Sequence, residues 1–595
     1  MRFQPLLLAL TSPLLVSLTS AVGASARYPG SSDLLVTSRD EHAHHHAAPL
    51  LELNETEVTM HHQPTPPSYY TLDWEYSDPA QASDRRSPAL IITHSIFMAL
   101  AFFVFLPMGE TICIMLRSVK HPMHGVAVIA FYGSFFLACE ASSAYKKFTP
   151  DMYPNASHAR HGYYVLLLAL MLTSIDIPNI IRRIFVSLKG SARAVLGSHQ
   201  HSNQGPEPDS EYVGLIGGAD GLDSVDGAKI THHAYHDLDN EDSDQELEST
   251  ELENHVRLNS VFSSSAPLGP TAARLIPILR RIAGAVYSIA ERILFFAGFA
   301  LLLSGVVVYT GGCRQNYING CLAHLIKGSI FWCYGLVSFA RFLGWNAAIG
   351  WAWNRTPAPA SGYPTAEFVE STVIFLYGVT NTWMERWGAN PGDPFTTKQI
   401  QHISIAVMFW FGGLLGMAME SRTLRKWLSG PSQDVEESAA TYTASFNPFP
   451  ALVVGVTGAV MAAHFQVYLF QVQIHQLWGN LLVAFAILRC LTYFFMWVAP
   501  PRLSAQLEVS SRPPTEALGS FLLTTCGGLC FVFSAEEITI AAMRRGRDDI
   551  MMFAVVAVAI TCLACCWVLC VVGFNGWLRM RAKRGGSCDS AARPF

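Results

Sequence analysis

The sequence predicts an all-α fold, a polytopic membrane bundle of about eleven transmembrane helices behind a cleaved signal peptide, and three observations carry that expectation. Of 595 residues, 51% are hydrophobic and only 14% charged, whereas soluble chains carry about 25% charge. The apolar residues gather into runs of about 17–25 residues, the helix length that crosses a hydrocarbon core about 30 Å thick. Lys and Arg collect at the ends of those runs. One large water-soluble enzyme is thereby excluded, and so is a fibrous or disulfide-knotted chain. The net charge of −5 arises mainly from one central acidic stretch, so the expected partner is the lipid bilayer and not nucleic acid.

Residues 1–26 read as a signal peptide: Met1-Arg2, the apolar stretch Leu6 to Val16, then small residues ending Ala24-Ser25-Ala26. Residues 27–87 form a polar, lumenal, histidine-containing tail. It carries the sequon Asn54-Glu55-Thr56 and the tract His44, His45, His46, which either binds a transition metal or is low-complexity drift. Three spans follow within 88–186, near 89–108, 125–144 and 163–184, with a second sequon, Asn155-Ala156-Ser157, between the second and third. Residues 187–273 are Gly/Ser-rich and acidic, with too few apolar side chains to offset the entropy of ordering. They are expected to be a disordered cytosolic linker, open to a cytosolic protein partner. Residues 274–579 then hold eight spans, near 293–309, 328–349, 368–383, 400–419, 451–470, 477–498, 518–534 and 550–572, and 580–595 form a cytosolic tail. Arg274 to Arg292, before the fourth span, reads as an amphipathic helix on the inner leaflet.

With the amino end lumenal, an odd number of spans puts the carboxyl end in the cytosol, in a membrane of the secretory pathway: plasma membrane, vacuole or endoplasmic reticulum. The basic clusters Arg117/Lys120, Arg182/Arg183, Arg422/Arg425/Lys426 and Arg579 to Arg584 then fall inside, as the positive-inside rule requires. One loop disagrees: Arg544, Arg545 and Arg547 fall on the lumenal side. Cys313 and Cys321 bracket one short lumenal loop and are expected to form a disulfide; most of the other cysteines sit inside apolar runs as packing residues.

Ionisable groups inside spans are costly, and each is a candidate for function or for buried pairing. Arg341, Glu370, Arg489, His464 and the pair Glu536-Glu537 are the candidates in the back part. Glu536-Glu537 suits a proton or cation site, or an ion pair with Arg544 or Arg489. His402 and His475, on spans two apart, are a weaker candidate for a bis-histidine site; His464 beside Gln466, Gln471 and Gln473 suits a hydrogen-bonded polar belt. No phosphate loop, hydrolase triad or flavin or nicotinamide signature occurs, so no catalytic residue is assigned and any electron donor comes from outside the chain.

His94, then Met98-Ala99-Leu100-Ala101-Phe102-Phe103, Leu106-Pro107-x-Gly109, Arg117, His124 and His161-Gly162 resemble the opening helices of the b-type cytochrome and ferric reductase membrane core. That resemblance implies a haem b held by His94 and His161 as axial ligands. Lys327-Gly328-Ser329-Ile330-Phe331, Arg341-x2-Gly344, Gly350-Trp351-Ala352-Trp353-Asn354, Phe446-Asn447-Pro448-Phe449-Pro450, Phe470 to His475 and Ser511-Arg512-Pro513-Pro514-Thr515-Glu516 resemble the fungal Ytp family. The two resemblances imply a multi-pass protein with a cytochrome-like front, moving electrons from an unidentified donor, with metal reduction as one use. A transporter built on the polar belt, and a non-catalytic membrane organiser acting through the acidic linker, are the other readings.

The expected topology predicts N-glycans on Asn54 and Asn155 and none on Asn354 of Asn354-Arg355-Thr356. Glycosidase digestion of sequon variants checks this, and a glycan on Asn354 would invert the back half.

Overall fold

The computed structural model describes residues 48–56, 58, 87–107, 123–149, 151, 153–174, 270–314, 317–353, 363–384, 392–429, 446–499 and 511–591. The signal segment, His44, His45, His46, Asn354 and the acidic linker as far as residue 269 lie outside them. The helices are α1 (Pro88–Phe105, its last turns a π-helix), α2 (Met123–Phe148), α3 (158–174), α4 (Pro270–Thr310), α5 (Ile318–Phe342), α6 (Ala366–Met384) and α7 (Thr397–Glu420). After them come α8 (Arg422–Ser429), α9 (Phe449–Ala462), α10 (Leu469–Val498), α11 (Pro514–Phe533), α12 (Glu536–Arg544) and α13 (Ile550–Ala591). Among the described residues there is no strand, only an isolated parallel bridge between Leu50 and Tyr468.

Eight of these helices are long and apolar enough to cross a membrane, so the chain is an all-α, multi-pass membrane protein. Three of the eleven expected spans are not among the eight. α3 is described only to Ser174, α6 carries Glu367 and Glu370, and α9 stops after 14 residues. The expected eighth span reached Phe470, but Ala463 to Tyr468 form a connecting loop, with Leu50 N–H donating to Val467 O and Leu469 N–H donating to Leu50 O. The expected interfacial helix at 274–292 is instead the first half of one continuous helix, α4, which runs on through Pro277 and Gly284.

Two compact units make up the chain: Met1–Met115, Ala127–His161 and Gly298–Phe595 form one, Leu116–Val126 and Gly162–Ala297 the other. In the larger unit, α1 shares a core with the back helices. Phe102 lies against Gly298, and Trp567 Nε1–H donates to the Phe103 carbonyl. The main core is built from Phe331, Ile374, Phe409, Val454, Trp478, Leu482, Phe485 and Phe531. With lipid outside as apolar as the interior, close backbone approach has to hold such helices together. Gly458 and Gly479 supply it between α9 and α10, since a Cβ on either would stand 2.5 Å from the other's carbonyl oxygen.

The helices of the back half alternate in direction, so the bundle has two ends. At one lie the Cys313–Cys321 disulfide, the 463–468 loop and α12. The amino-terminal residues dock there, where Val58 packs with Tyr317, Tyr468 and Ile540. Arg544 grips Glu55 with two hydrogen bonds, of 2.7 and 2.8 Å. Asn54 is exposed at this end; so is Asn155, two residues beyond Tyr153, whose hydroxyl donates to Gly312 O. The other end, about 35 Å away along a 25-residue helix, carries Arg341 and the first turns of α6 and α11.

The Arg544 hydrogen bond, with its charge behind it, holds the Glu55 carboxyl below the usual carboxylate range against a smaller opposing effect of burial. A depressed carboxylate stabilises the folded form fully above its unfolded pKa and loses that contribution as pH falls through the folded one. Acidification is therefore expected to loosen residues 50–58, by about 0.2–1 kcal/mol for so exposed a pair. Hydrogen exchange of that segment checks this, with Glu55→Gln abolishing the step.

Candidate functional site

Two imidazoles meet in the front half. His94, two turns into α1, has its Nδ1 2.9 Å from the Ala138 carbonyl of α2, so Nδ1 carries a proton. Its ring neighbour is His158, at 6.3 Å between centroids and 86° between planes. His158 Nδ1 lies 2.8 Å from Ser304 Oγ. Because that hydroxyl donates its own proton to Leu301 O, it accepts from His158 and fixes the same tautomer. Gly305 faces the His158 ring, where a Cβ would stand 3.2 Å from Cε1. Burial first, then the imidazoles of His94 and His161, push His158 down to about 4, so it is neutral at physiological pH. His161 is one turn further along α3, half-buried, and held below the usual range by burial and by Arg160. Sequence reasoning passed over His158 because it precedes the apolar run. The i, i+3 spacing of His158 and His161 on one helix face was the signal available.

In the back half the histidines separate. His402 stacks on His464, centroids 5.8 Å apart, and Gln466 Nε2 reaches His464 Nδ1 at 2.8 Å. His464 stands in the α9–α10 loop. His475 is buried one helix turn from the Gln471 carbonyl, which its Nδ1 meets at 2.8 Å, and it leans on Trp478. The structure thus brings His402 to His464. Glu537 accepts the Cys313 backbone N–H at 2.9 and 3.1 Å, and Glu536 is exposed. Arg544, considered as their partner, turns to Glu55 instead. Cys313, Cys321 and Glu537 cluster closely enough for a metal, but the two sulfurs are bonded to each other and offer no thiolate.

Five charged side chains from four helices converge at the other end. Arg341 of α5 donates to Glu367 of α6 at 2.7 Å and to the Trp351 carbonyl at 2.7 Å. Arg489 of α10 spans two carboxylates, Glu370 of α6 at 3.1 Å and Glu516 of α11 at 2.5 Å. Arg341 also lies 3.8 Å from Glu370. The indole of Trp353 lies beneath both guanidiniums, 3.9 Å from Arg341 and 5.2 Å from Arg489. Ser338 accepts from Arg489 Nη2. Arg341, Arg489 and Glu370 were legible as costly intramembrane charges. Glu367 and Glu516 were not singled out as partners, although each stands in the first turn of a helix, where a carboxylate is favoured.

Removing one member of a buried ion pair strands the other, at about 3–5 kcal/mol. Arg489→Met is therefore expected to lower thermal stability in detergent strongly. The double variant Arg489→Met/Glu516→Gln should recover much of the loss, and equal loss in both would refute the pairing.

Residues 297–576 match the family described as Protein YTP1-like, C-terminal, and residues 75–177 match a domain of unknown function (DUF2427). An uncharacterized membrane protein of Schizosaccharomyces pombe is 37% identical over 283 residues, covering 45% of this chain and 54% of its own length. An uncharacterized membrane protein of Saccharomyces cerevisiae is 33% identical over 373 residues, covering 58% and 57%. Protein YTP1 of Saccharomyces cerevisiae is 24% identical over 289 residues, covering 48% and 54%. The chain spans a little over half the length of the curated relatives it matches. No solved structure matches it. The two family matches and the three relatives together support the Ytp family for this multi-pass membrane protein.

Proposed function

We propose that the front half is an electron carrier in which His94 and His158 hold one redox-active group, haem b foremost. The observation that carries this is the pair of imidazoles 6.3 Å apart, each with its Nδ1–H taken up by a fixed acceptor, Ala138 O or Ser304 Oγ. Histidines that ligate a metal donate their other N–H in this way, which sets the tautomer and the ring direction. Gly305 fits the same purpose, since a side chain there would press on the His158 ring. The residues therefore fit two axial ligands, with His158 in the place that the family resemblance gave to His161.

A bis-imidazole iron supplies reversible one-electron transfer. The chain's part is to hold both rings through their Nδ1–H groups, which leaves each Nε2 as the nitrogen that would face the group. His94 lies in the second turn of α1 and His158 in the first turn of α3, so the pair is near the bundle end that carries the disulfide. One site so placed passes electrons at that face of the membrane, from a donor outside the chain to an acceptor there. A metal ion gathered by His44, His45 and His46 of the amino-terminal tail is the acceptor this reading favours, in a secretory-pathway membrane with the amino end lumenal.

Purified protein is expected to show a b-type band in the dithionite-reduced minus oxidised spectrum. His94→Ala and His158→Ala should each abolish it, while His161→Ala and His402→Ala leave most of it. Wild-type protein with neither a band nor bound iron or copper would overturn the proposal.

A further inference from the structure

We propose that the network of Arg341, Glu367, Glu370, Arg489 and Glu516 is a proton-binding site, in which three carboxyl groups and two guanidiniums share one exchangeable proton. This goes beyond the electron-transfer reading and involves none of its residues. The argument begins with charge. Arg341 and Arg489 supply two positive charges, and the three glutamates supply three negative ones when all are ionised, leaving an excess of one carboxylate. In contact with lipid-embedded helices such an excess is costly, and the least costly way to remove it is to add a cation.

Among the described residues, the groups that face the network do not supply that cation; Arg512 donates instead to the Leu343 carbonyl, and Glu420 of α7, which accepts from Thr365, adds a further carboxylate at the margin. From α5 come Arg341 and Tyr334, from α6 Glu367 and Glu370, from α10 Arg489 and Tyr493, and from α11 Glu516. The segment after α5 contributes the Trp353 ring beneath both guanidiniums. Ser338, Thr492 and Thr515 add hydroxyls only. A metal ion is disfavoured at the same place. Every carboxylate already rests on a guanidinium at 2.5–3.1 Å, so an ion among these oxygens would stand against two like charges. A proton bound to a carboxyl oxygen needs no such room.

Two features show where it would go. Glu516 is 1% exposed, and while its Oε1 holds Arg489, its Oε2 has no hydrogen-bond partner in the structure. That is an acceptor in hydrocarbon surroundings with its lone pairs unused, a costly condition for an ionised carboxylate and a cheaper one for a protonated acid. Glu370 is the most weakly held of the three, at 3.1 Å from Arg489 and 3.8 Å from Arg341, and its side chain is more open than that of Glu516, 12% against 1%. Arg489 touches Glu370 through Nη1 and Glu516 through Nη2, so neutralising one carboxyl lets the guanidinium commit to the other. The geometry is that of a proton exchanged between Glu370, the entry group, and Glu516, the buried one. No bond other than O–H is made or broken, and the proton comes from and returns to water at this end of the bundle.

The test is pH-difference infrared spectroscopy of the full-length protein in phosphatidylcholine vesicles, in water and in deuterium oxide. One protonated-carboxyl band is expected, shifting in deuterium oxide and vanishing as the pH is raised. Glu367→Gln, Glu370→Gln and Glu516→Gln should each remove the band completely, since two carboxylates balance two guanidiniums, whereas Glu55→Gln leaves it. Glu370→Asp, which keeps the charge, should move the band without removing it and keeps the test decisive if a glutamine variant does not fold. Absence of the band from wild type, its survival in the glutamine variants, or a sodium- or potassium-dependent thermal shift in its place would each overturn the proposal.

Discussion

A guanidinium cannot stand alone in hydrocarbon, and the back half of this chain is arranged around that fact. Arg489 lies twenty residues beyond Leu469, the first residue of α10, with a side chain 1% exposed. The effective penalty for burying such an ion is several kcal/mol, repaid only by well-placed opposite charge and full hydrogen bonding. Glu370 and Glu516 have to come from two other helices to meet it, and Arg341 with Glu367 draws in a fourth. A slip of α10 by one turn, about 5.4 Å, would separate Arg489 from both carboxylates at once. The apolar contacts of Trp478, Leu482 and Phe485 with their neighbours would tolerate such a slip far better, because one aliphatic surface resembles another. Charge therefore fixes the register, and apolar packing fills in around it.

Small residues make that convergence sterically feasible. Gly458 and Gly479 let α9 and α10 touch by their backbones, and Gly335 does the same for α5 against Thr524 of α11. Thr524 and Thr525 lie in the π-helical stretch Leu523–Cys530 and turn their hydroxyls to the carbonyls of Ser520 and Phe521. Their polarity is thereby satisfied within α11, and the face toward α5 stays smooth. At the opposite end the solution is neutral and covalent. The disulfide closes the turn between α4 and α5, and the otherwise costly Glu537 carboxylate is spent on the Cys313 N–H.

Helix existence was legible in the sequence, because a run of twenty apolar residues leaves few alternatives to a helix in lipid. Helix ends were less so. Within Phe449 to Phe470 only the polar His464 and Gln466 hint at the loop Ala463 to Tyr468, and its partner Leu50, which pairs with Val467 and Leu469, lies more than four hundred residues away in sequence. The charged network was half legible. Arg341 and Arg489 announce a need for carboxylates, yet their partners come from helices whose placement is a tertiary fact. The histidines show the same limit: His94 was identifiable from its depth in a span, but choosing between His158 and His161 as its neighbour requires the phase of α3, which a three-residue spacing on one face leaves open.

The tail meets one of the three charges, Arg544, Arg545 and Arg547, that spoke against the expected topology. Arg544 is basic and stands at the end of the bundle that the expected topology would make lumenal, where the positive-inside rule asks for few such residues. It is bound to Glu55 by two hydrogen bonds, so the charge that would anchor this loop to the cytosol is met within the fold. The same contact ties the amino-terminal segment to α12, and through Tyr317 and Tyr468 to the turns before α5 and α10. Asn54, Asn155 and the disulfide share this end, while Arg341, Glu367 and the start of α8 share the other. Removing Arg544 from the count leaves the basic clusters Arg422/Arg425/Lys426 and Arg579 to Arg584 on the side of the five-residue network. In the proposed orientation that network opens toward the cytosol and the imidazole pair toward the lumen, so protons and electrons would enter this protein from opposite faces.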